Sequence, residues 1–249
     1  MSEIKIYKKE DFEPMRNACQ LAKRVLDYIE PYIQENTTTE KLDTLCHDFI
    51  IANNATSATL NYKGFPKSIC TSVNHVVCHG IPGSYKLVKG DIINIDVTVN
   101  LNGWFGDTSR TFIVGPTTKL AENLVKVTQE ALYIGINAVK PGGYFEDIGK
   151  AIQEFVDKYG YSIVKDYCGH GIGRVYHDEP IVIHYDSGEQ RQRILPGMFF
   201  TIEPMINAGS HKIKILKDGW TAVTIDKSLS AQFEHTIGVI DNTVEILTA

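Results

Sequence analysis

The chain has 249 residues, 43% of them hydrophobic, with a formal net charge of -5, enough to bury a large core as one domain or two closely packed halves. Its lysines and arginines are scattered, which removes the basic footprint of a nucleic-acid binder. No run of about 18 apolar residues marks a membrane span, and the opening Met1-Ser2-Glu3-Ile4-Lys5 lacks a secretory apolar stretch, so the expected location is the cytosol.

Along the chain, residues 11 to 33 place Met15, Ala18, Leu21, Ala22, Val25, Leu26 and Ile29 at helical spacing, with Pro14 where a first turn tolerates it. A second helix is predicted over 39 to 52, opened by the threonine run 37 to 39 and Glu40. Residues 91 to 114 read as a hairpin. Asp96 and Asp107 are mirrored about Leu101 and Asn102, so a turn there would set the two acids directly opposite each other. Like charges facing across a strand pair are destabilising and call for a cation. Two further helices follow, over 120 to 139 and 144 to 159, closed by Pro141-Gly142-Gly143 and by Gly160.

The strands recur as well. Leu87 to Asp96 aligns with Ile194 to Glu203, turn glycine Gly90 with Gly197 and acid with acid, and each is followed by a second acidic strand, Asp107-Thr-Ser and Glu234-His-Thr. Helix, helix, acid, acid in the same order twice favours two related halves, about 11–115 and 116–249. The fold class is therefore α+β, antiparallel sheet with long helices on one face.

Four carboxylates, Asp96, Asp107, Glu203 and Glu234, together with His170 in Gly-His-Gly-Ile-Gly, form a plausible two-metal hydrolytic site. Carboxylate oxygens bind hard or borderline divalent ions, and one imidazole shifts preference toward manganese, iron, cobalt or zinc over calcium. Other readings are weaker. Five cysteines without a CxxC pair argue against a disulfide framework or zinc knuckle. The glycines from 169 to 173 are not a dinucleotide fingerprint. His75 and His79 have HxxxH spacing, yet their segment reads as strand then turn and lacks a metalloprotease glutamate.

The motifs Tyr-x-Gly-Phe-Pro-Lys-Ser (62–68), Val-Cys-His-Gly-Ile-Pro (77–82), Asn-Ile-Asp-Val-Thr (94–98), Gly-Asp-Thr-Ser (106–109), Gly-His-Gly-Ile-Gly-Arg (169–174), Thr-Ile-Glu-Pro (201–204), Asp-Gly-Trp-Thr (218–221) and Leu-Ser-Ala-Gln-Phe-Glu-His-Thr (229–236) stand in the chain. Together they resemble the type I, bacterial-like methionine aminopeptidases of the pita-bread metallopeptidase family, over essentially the whole length. The resemblance implies a pita-bread fold of two pseudo-symmetric halves in a single catalytic domain. It also implies a dinuclear centre on Asp96, Asp107, His170, Glu203 and Glu234, with Asp107 and Glu234 bridging, holding two divalent ions drawn from cobalt, manganese, iron, zinc or nickel.

By the same resemblance His79 hydrogen-bonds the scissile amide or the leaving amine, His177 stabilises the oxygen of the tetrahedral intermediate, and Glu203 relays protons while a metal-bridging hydroxide attacks. A methionine pocket is implied at Tyr62, Phe65, Cys70, Tyr176 and Trp220 with Thr59 at its rim, and a sodium or potassium ion near Asn74, Val76 and Ser230. The chain departs from the commonest pattern at Thr59, Phe65, Tyr176 and Asp178, which bears on fine specificity. The implied partners are N-termini of nascent polypeptides and, transiently, the ribosome, with no specific nucleic acid or membrane. A monomer of the minimal form is expected, without the zinc-binding extension or the helical insertion of type II enzymes, and able to remove its own Met1 ahead of Ser2. The rival readings are a prolidase or aminopeptidase P, which usually carry an extra N-terminal domain, and a metal-free binding protein on the same scaffold.

Overall fold

The computed structural model describes residues 4–188 and 192–249. Removal of Met1 ahead of Ser2 concerns positions outside the described residues.

Among the described residues four α-helices form along the apolar spacing, two of them capped by threonine. Helix α1 (Phe12–Ile29) buries Met15, Ala18, Leu21, Ala22, Val25, Leu26 and Ile29. It gives way to a 3-10 turn at Glu30–Tyr32, because Pro31 cannot donate the next helical hydrogen bond. Helix α2 (Thr39–Ala52) starts at Thr38, whose hydroxyl accepts the Lys41 amide, and α3 (Lys119–Ala138) repeats that capping with Thr118 and Ala121. Helix α4 (Glu146–Val156) begins later than expected, since Tyr144 instead pairs with Arg193 in a β-bridge. A 3-10 turn follows it, and the chain leaves through Gly160 at φ 69.

The long hairpin joins Ile92–Leu101 to Trp104–Ile113. Its first strand also pairs with Thr56–Ser57 and Cys70–Val73 along the other edge. A five-stranded sheet runs in the order Thr243–Ile246, His235–Ile240, Phe199–Ile202, Gly169–Gly171, Asp178–Val182. The two sheets meet at an antiparallel bridge between Ser109 and Glu234. Helices α1 and α2 pack with the first sheet around Leu21, Leu42, Ile93 and Val97. The second sheet shares its core with α3 and α4, around Leu124, Ile148, Phe200 and Ile237. Helix and sheet approach closely at Gly106, where an added Cβ would lie 2.4 Å from the Ala18 backbone. No described helix is long and apolar enough to cross a membrane.

One expected register is corrected. The hairpin turns at Asn102-Gly103, both at positive φ (54° and 79°), as a two-residue turn of the right-handed hairpin demands. The closing pair is thus Leu101 and Trp104, so Asp96 faces Ser109 and Asp107 faces Thr98. The acids are diagonal neighbours rather than direct partners. Because the shift is by two residues, both still project from the same face.

The internal repeat is visible in hydrogen bonds. Gly90 N donates to Val114 O and Val114 N to Asp91 O, at 2.8 and 2.9 Å; Gly197 N donates to Val239 O and Val239 N to Met198 O, at 2.7 and 3.0 Å. Across the junction the Thr111 hydroxyl donates to Gln232 O and the Thr236 hydroxyl to Asp107 O, each at 2.7 Å. Under this correspondence Asp96 matches Glu203, but Glu234 matches Ser109 and Asp107 matches Gln232. The expected alignment of Asp107 with Glu234 is therefore two residues out. A repeated acid-x-hydroxyl string is too short to define register; the strand ladder defines it.

Candidate metal centre and substrate cavity

Asp96 and Asp107 come from the hairpin, His170 from the short strand Gly169–Gly171, and Glu203 and Glu234 from just beyond the paired ends of Phe199–Ile202 and His235–Ile240. All five line one cavity of about 540 Å³. Ligand atoms of Asp107, His170 and Glu234 lie within 4.8 Å of one another, and His170 Nε2 is 3.7 Å from both Asp107 Oδ2 and Glu203 Oε1. The His170 Nδ1 is 3.0 Å from the Gly171 carbonyl. That carbonyl can only accept, so the proton sits on Nδ1 and the Nε2 lone pair faces the carboxylates, the tautomer a metal requires.

The surroundings orient the donors. The Thr98 hydroxyl donates to Asp107 Oδ1 at 2.7 Å and lies 2.8 Å from the Tyr176 hydroxyl. Thr201, fully buried, accepts the His170 amide (3.0 Å) and donates to Glu203 Oε1 (2.8 Å). Gln232 Nε2 donates to Glu203 Oε2 at 3.2 Å, and His184 Nε2 accepts the Glu203 amide at 3.0 Å. No Lys or Arg forms an ion pair with any of the four carboxylates among the described residues. Burial alone pushes the Asp96 carboxyl up to about 7; Glu203 rises to about 8, mainly by burial and then by facing Asp96. Asp107 and Glu234 are driven up by burial and by the other acids. Three buried carboxylates and a half-buried fourth, mutually repelling and beside an imidazole presenting its lone pair, fit divalent metal, because only a cation compensates that arrangement.

A pH dependence of stability follows. A carboxyl whose folded pKa is raised binds more protons folded than unfolded, so its contribution is present at low pH and declines as pH rises toward the folded value. The neutral histidines act oppositely: desolvation holds His79, His170 and His235 near 4 and His177 and His184 near 3. They favour the fold as pH rises through 6.5, and that contribution is complete about one pH unit higher, where the unfolded imidazoles are neutral too. Above about pH 7.5 only the acids remain, and between there and about pH 8.5 metal-stripped protein should lose about 1 to 2 kcal/mol, a fall of several degrees in Tm. Manganese should restore Tm by a larger increment at about pH 8.5 than at about pH 7.5. A flat Tm in stripped protein over that interval, read by calorimetry, would refute the electrostatic account.

The cavity collects the other expected residues as well: Thr59, Tyr62, Phe65, Cys70, His79, Tyr176, His177 and Trp220 all line it. Phe65 meets Trp220 edge to face, centroids 5.2 Å apart. His79, at φ 55, stands edge-on to both Tyr167 (5.2 Å) and Trp220 (6.0 Å). His177 stacks on Tyr62, whose hydroxyl is 3.0 Å from its Nδ1, and its ring centroid lies 4.2 Å from that of His170. Asn74, Val76 and Ser230 do not line the cavity. The Ser230 amide donates to the Asn74 carbonyl at 2.8 Å, while the buried Ser230 hydroxyl has no hydrogen-bond partner among the described residues.

Sequence reasoning missed Tyr167, Cys168 and Met205 in the wall and His184, Thr201 and Gln232 behind the acids. Thr201 and Gln232 carried a signal, each lying two residues before an acid, the same-face spacing of a strand. His184 carried none.

Comparison with known proteins places these features. The model of metallopeptidase family M24 matches residues 13–241. The chain is 56% identical to the methionine aminopeptidase of Escherichia coli K12, with 98% of this chain and 94% of that protein covered. With the methionine aminopeptidase of Rickettsia prowazekii it shares 54% identity, and that enzyme's crystal structure superposes with a TM-score of 0.97 over 99% of this chain and 100% of that one. The prolidase of Pyrococcus furiosus, 22% identical, shares the fold with a TM-score of 0.78 over 98% of this chain and 65% of its own. A metal-ready cluster of acids between two helix-covered antiparallel sheets, matched this closely along its whole length, establishes that the chain belongs to metallopeptidase family M24, among the methionine aminopeptidases.

Proposed function

We propose that this chain removes the N-terminal initiator methionine from nascent proteins and peptides, preferring a small, uncharged second residue. The observation that carries the proposal is the joining, in one cavity, of an uncompensated four-carboxylate and imidazole cluster to an apolar aromatic wall. Asp96, Asp107, His170, Glu203 and Glu234 would hold the divalent metal, the count of donors being enough for two ions. When bound, such a pair polarises a carbonyl and activates water near neutral pH.

The chain's own groups supply the rest. Glu203, held at both oxygens by Thr201 and Gln232, takes a proton and returns it to the leaving amine. His79 donates to the scissile amide and His177 to the carbonyl oxygen, as neutral imidazoles whose desolvation keeps them uncharged. Phe65, Cys70, Tyr62, Tyr176 and Trp220 enclose the methionine side chain, with Thr59 at the rim; aromatic faces and a thiol suit a polarisable thioether. The unpartnered Ser230 hydroxyl supports a monovalent cation with Asn74 and Val76. The hydrogen bonds repeated about the Ser109 and Glu234 bridge support one catalytic unit of two halves, about 11–115 and 116–249. A cytoplasmic monomer acting near the ribosome is the setting this substrate implies.

The test is release of free methionine from Met-Ala-Ser, Met-Leu-Ser and Xaa-Pro peptides by chelator-stripped protein, before and after manganese or cobalt. Metal-restored cleavage confined to Met-Ala-Ser is expected. Cleavage of Xaa-Pro peptides would assign a prolidase activity instead, and inactivity with every ion would favour a binding protein.

A further inference from the structure

The substrate-facing segment between Ser57 and Cys70 contains no strand of its own. Its backbone is folded by local turns: Tyr62 N to Thr59 O at 3.0 Å, Phe65 N to Tyr62 O at 2.9 Å, and Asn61 N to Phe65 O at 2.7 Å. Asn61 and Lys63 are both left-handed, at φ 66 and 46. A turn-built segment has no ladder to define where its side chains stand, yet it carries Tyr62, Phe65 and Cys70 to the cavity wall.

What ties it down lies on helix α2. Asp43 is 7% exposed and takes no part in the metal cluster. Its Oδ1 accepts both the Ser68 amide (2.8 Å) and the Ile69 amide (3.1 Å), two buried donors with which it forms the bridge from helix to loop. One turn on, His47 Nδ1 lies 2.8 Å from the Ser68 hydroxyl. Ser57 completes the tether: its hydroxyl donates to Ser68 O at 2.7 Å and accepts the Leu60 amide at 3.1 Å. Cys70 then enters the sheet directly opposite Asp96, and Phe65 seats against Trp220. Movement of residues 68 and 69 would therefore displace one wall residue on each side of the anchor.

We propose that Asp43 is a specificity-positioning residue, holding residues 68 and 69 so that Phe65 and Cys70 shape the pocket for an unbranched side chain. This rests on the function proposed above. The carboxylate acts through geometry: one oxygen receives both amides, so asparagine, which keeps a carbonyl oxygen there, substitutes for it. Alanine leaves two buried N–H groups without acceptors, and an unsatisfied buried donor is expensive enough to move the loop.

The experiment measures kcat and KM for Met-Ala-Ser and Leu-Ala-Ser in the parent, Asp43→Ala and Asp43→Asn proteins, with hydrogen exchange at the amides of residues 65–70. Asp43→Ala should raise KM for Met-Ala-Ser about tenfold and lower the methionine-over-leucine ratio about tenfold, with kcat within about threefold and exchange protection lost. Asp43→Asn should stay within about threefold of the parent in every quantity. If Asp43→Ala does not fold, Ser57→Ala should shift KM and the ratio in the same direction by about three- to fivefold. The proposal is overturned by a fall in kcat with KM and the ratio unchanged, by Asp43→Asn behaving as the alanine variant, or by an unchanged KM in Ser57→Ala. Should the parent release methionine from no peptide, the functional reading fails and this proposal with it. Retained protection in Asp43→Ala, beside an active parent, removes the anchor alone.

Discussion

Replacing Glu203 with glutamine should lower kcat for Met-Ala-Ser by about 10³-fold or more, the scale of losing a group with the two roles proposed for it, proton transfer and metal binding. Glutamine has nearly the same shape but is not a base at neutral pH. Its amide nitrogen would also confront one of two existing donors, the Thr201 hydroxyl or the Gln232 amide. Activity and bound metal, measured by elemental analysis, separate the two contributions. If saturating manganese refills the site and activity stays low, proton transfer is the dominant loss; if activity returns to within tenfold of the parent, Glu203 serves mainly to bind metal. Unchanged kcat at native metal content would sink both roles.

His79→Ala carries the second large effect, a loss of about 10²- to 10³-fold in kcat with KM and metal content nearly unchanged. The imidazole is not among the clustered ligand atoms. It stands edge-on to Tyr167 and Trp220 at a left-handed backbone position, contacts that orient the ring without any metal ligand. Asparagine tolerates that conformation and makes His79→Asn a backbone control. Comparable losses in the two variants point to the missing imidazole, whereas loss of metal in either would mean that His79 belongs to the metal centre.

Much of this chemistry is legible in the order of residues alone. The helices are recognisable because apolar spacing and, as at Thr38, a threonine cap operate within one or two turns of chain. The five donors read from the residues line the cavity, and so does every residue that the family resemblance implies for the reaction centre and the methionine pocket. The residue pairing of the acids is not legible. Symmetry about Leu101 and Asn102 suggests direct opposition, but the conformational demands of Asn102-Gly103 move the turn by one residue and the partners by two. The same offset separates Glu234 from Asp107, because the ladder pairs Glu234 with Ser109 across the junction. Tyr144 likewise fits a helical pattern in isolation and leaves it for a bridge to Arg193.

What the sequence determined by itself was therefore the kind of chemistry: which donors are present, which strands and helices carry them, and which face of each strand they share. Those properties depend on residue type and on periodicities of 2 and 3.6, which are local. The tertiary structure decided which acids confront each other, which groups hold them, and how far burial raises their pKa values. Those depend on register and desolvation, set by partners distant in the chain such as Thr98 for Tyr176, Thr201 for His170 and Asp43 for Ser68. No periodicity encodes such meetings; they exist only once both sheets and their helices have closed around the same cavity.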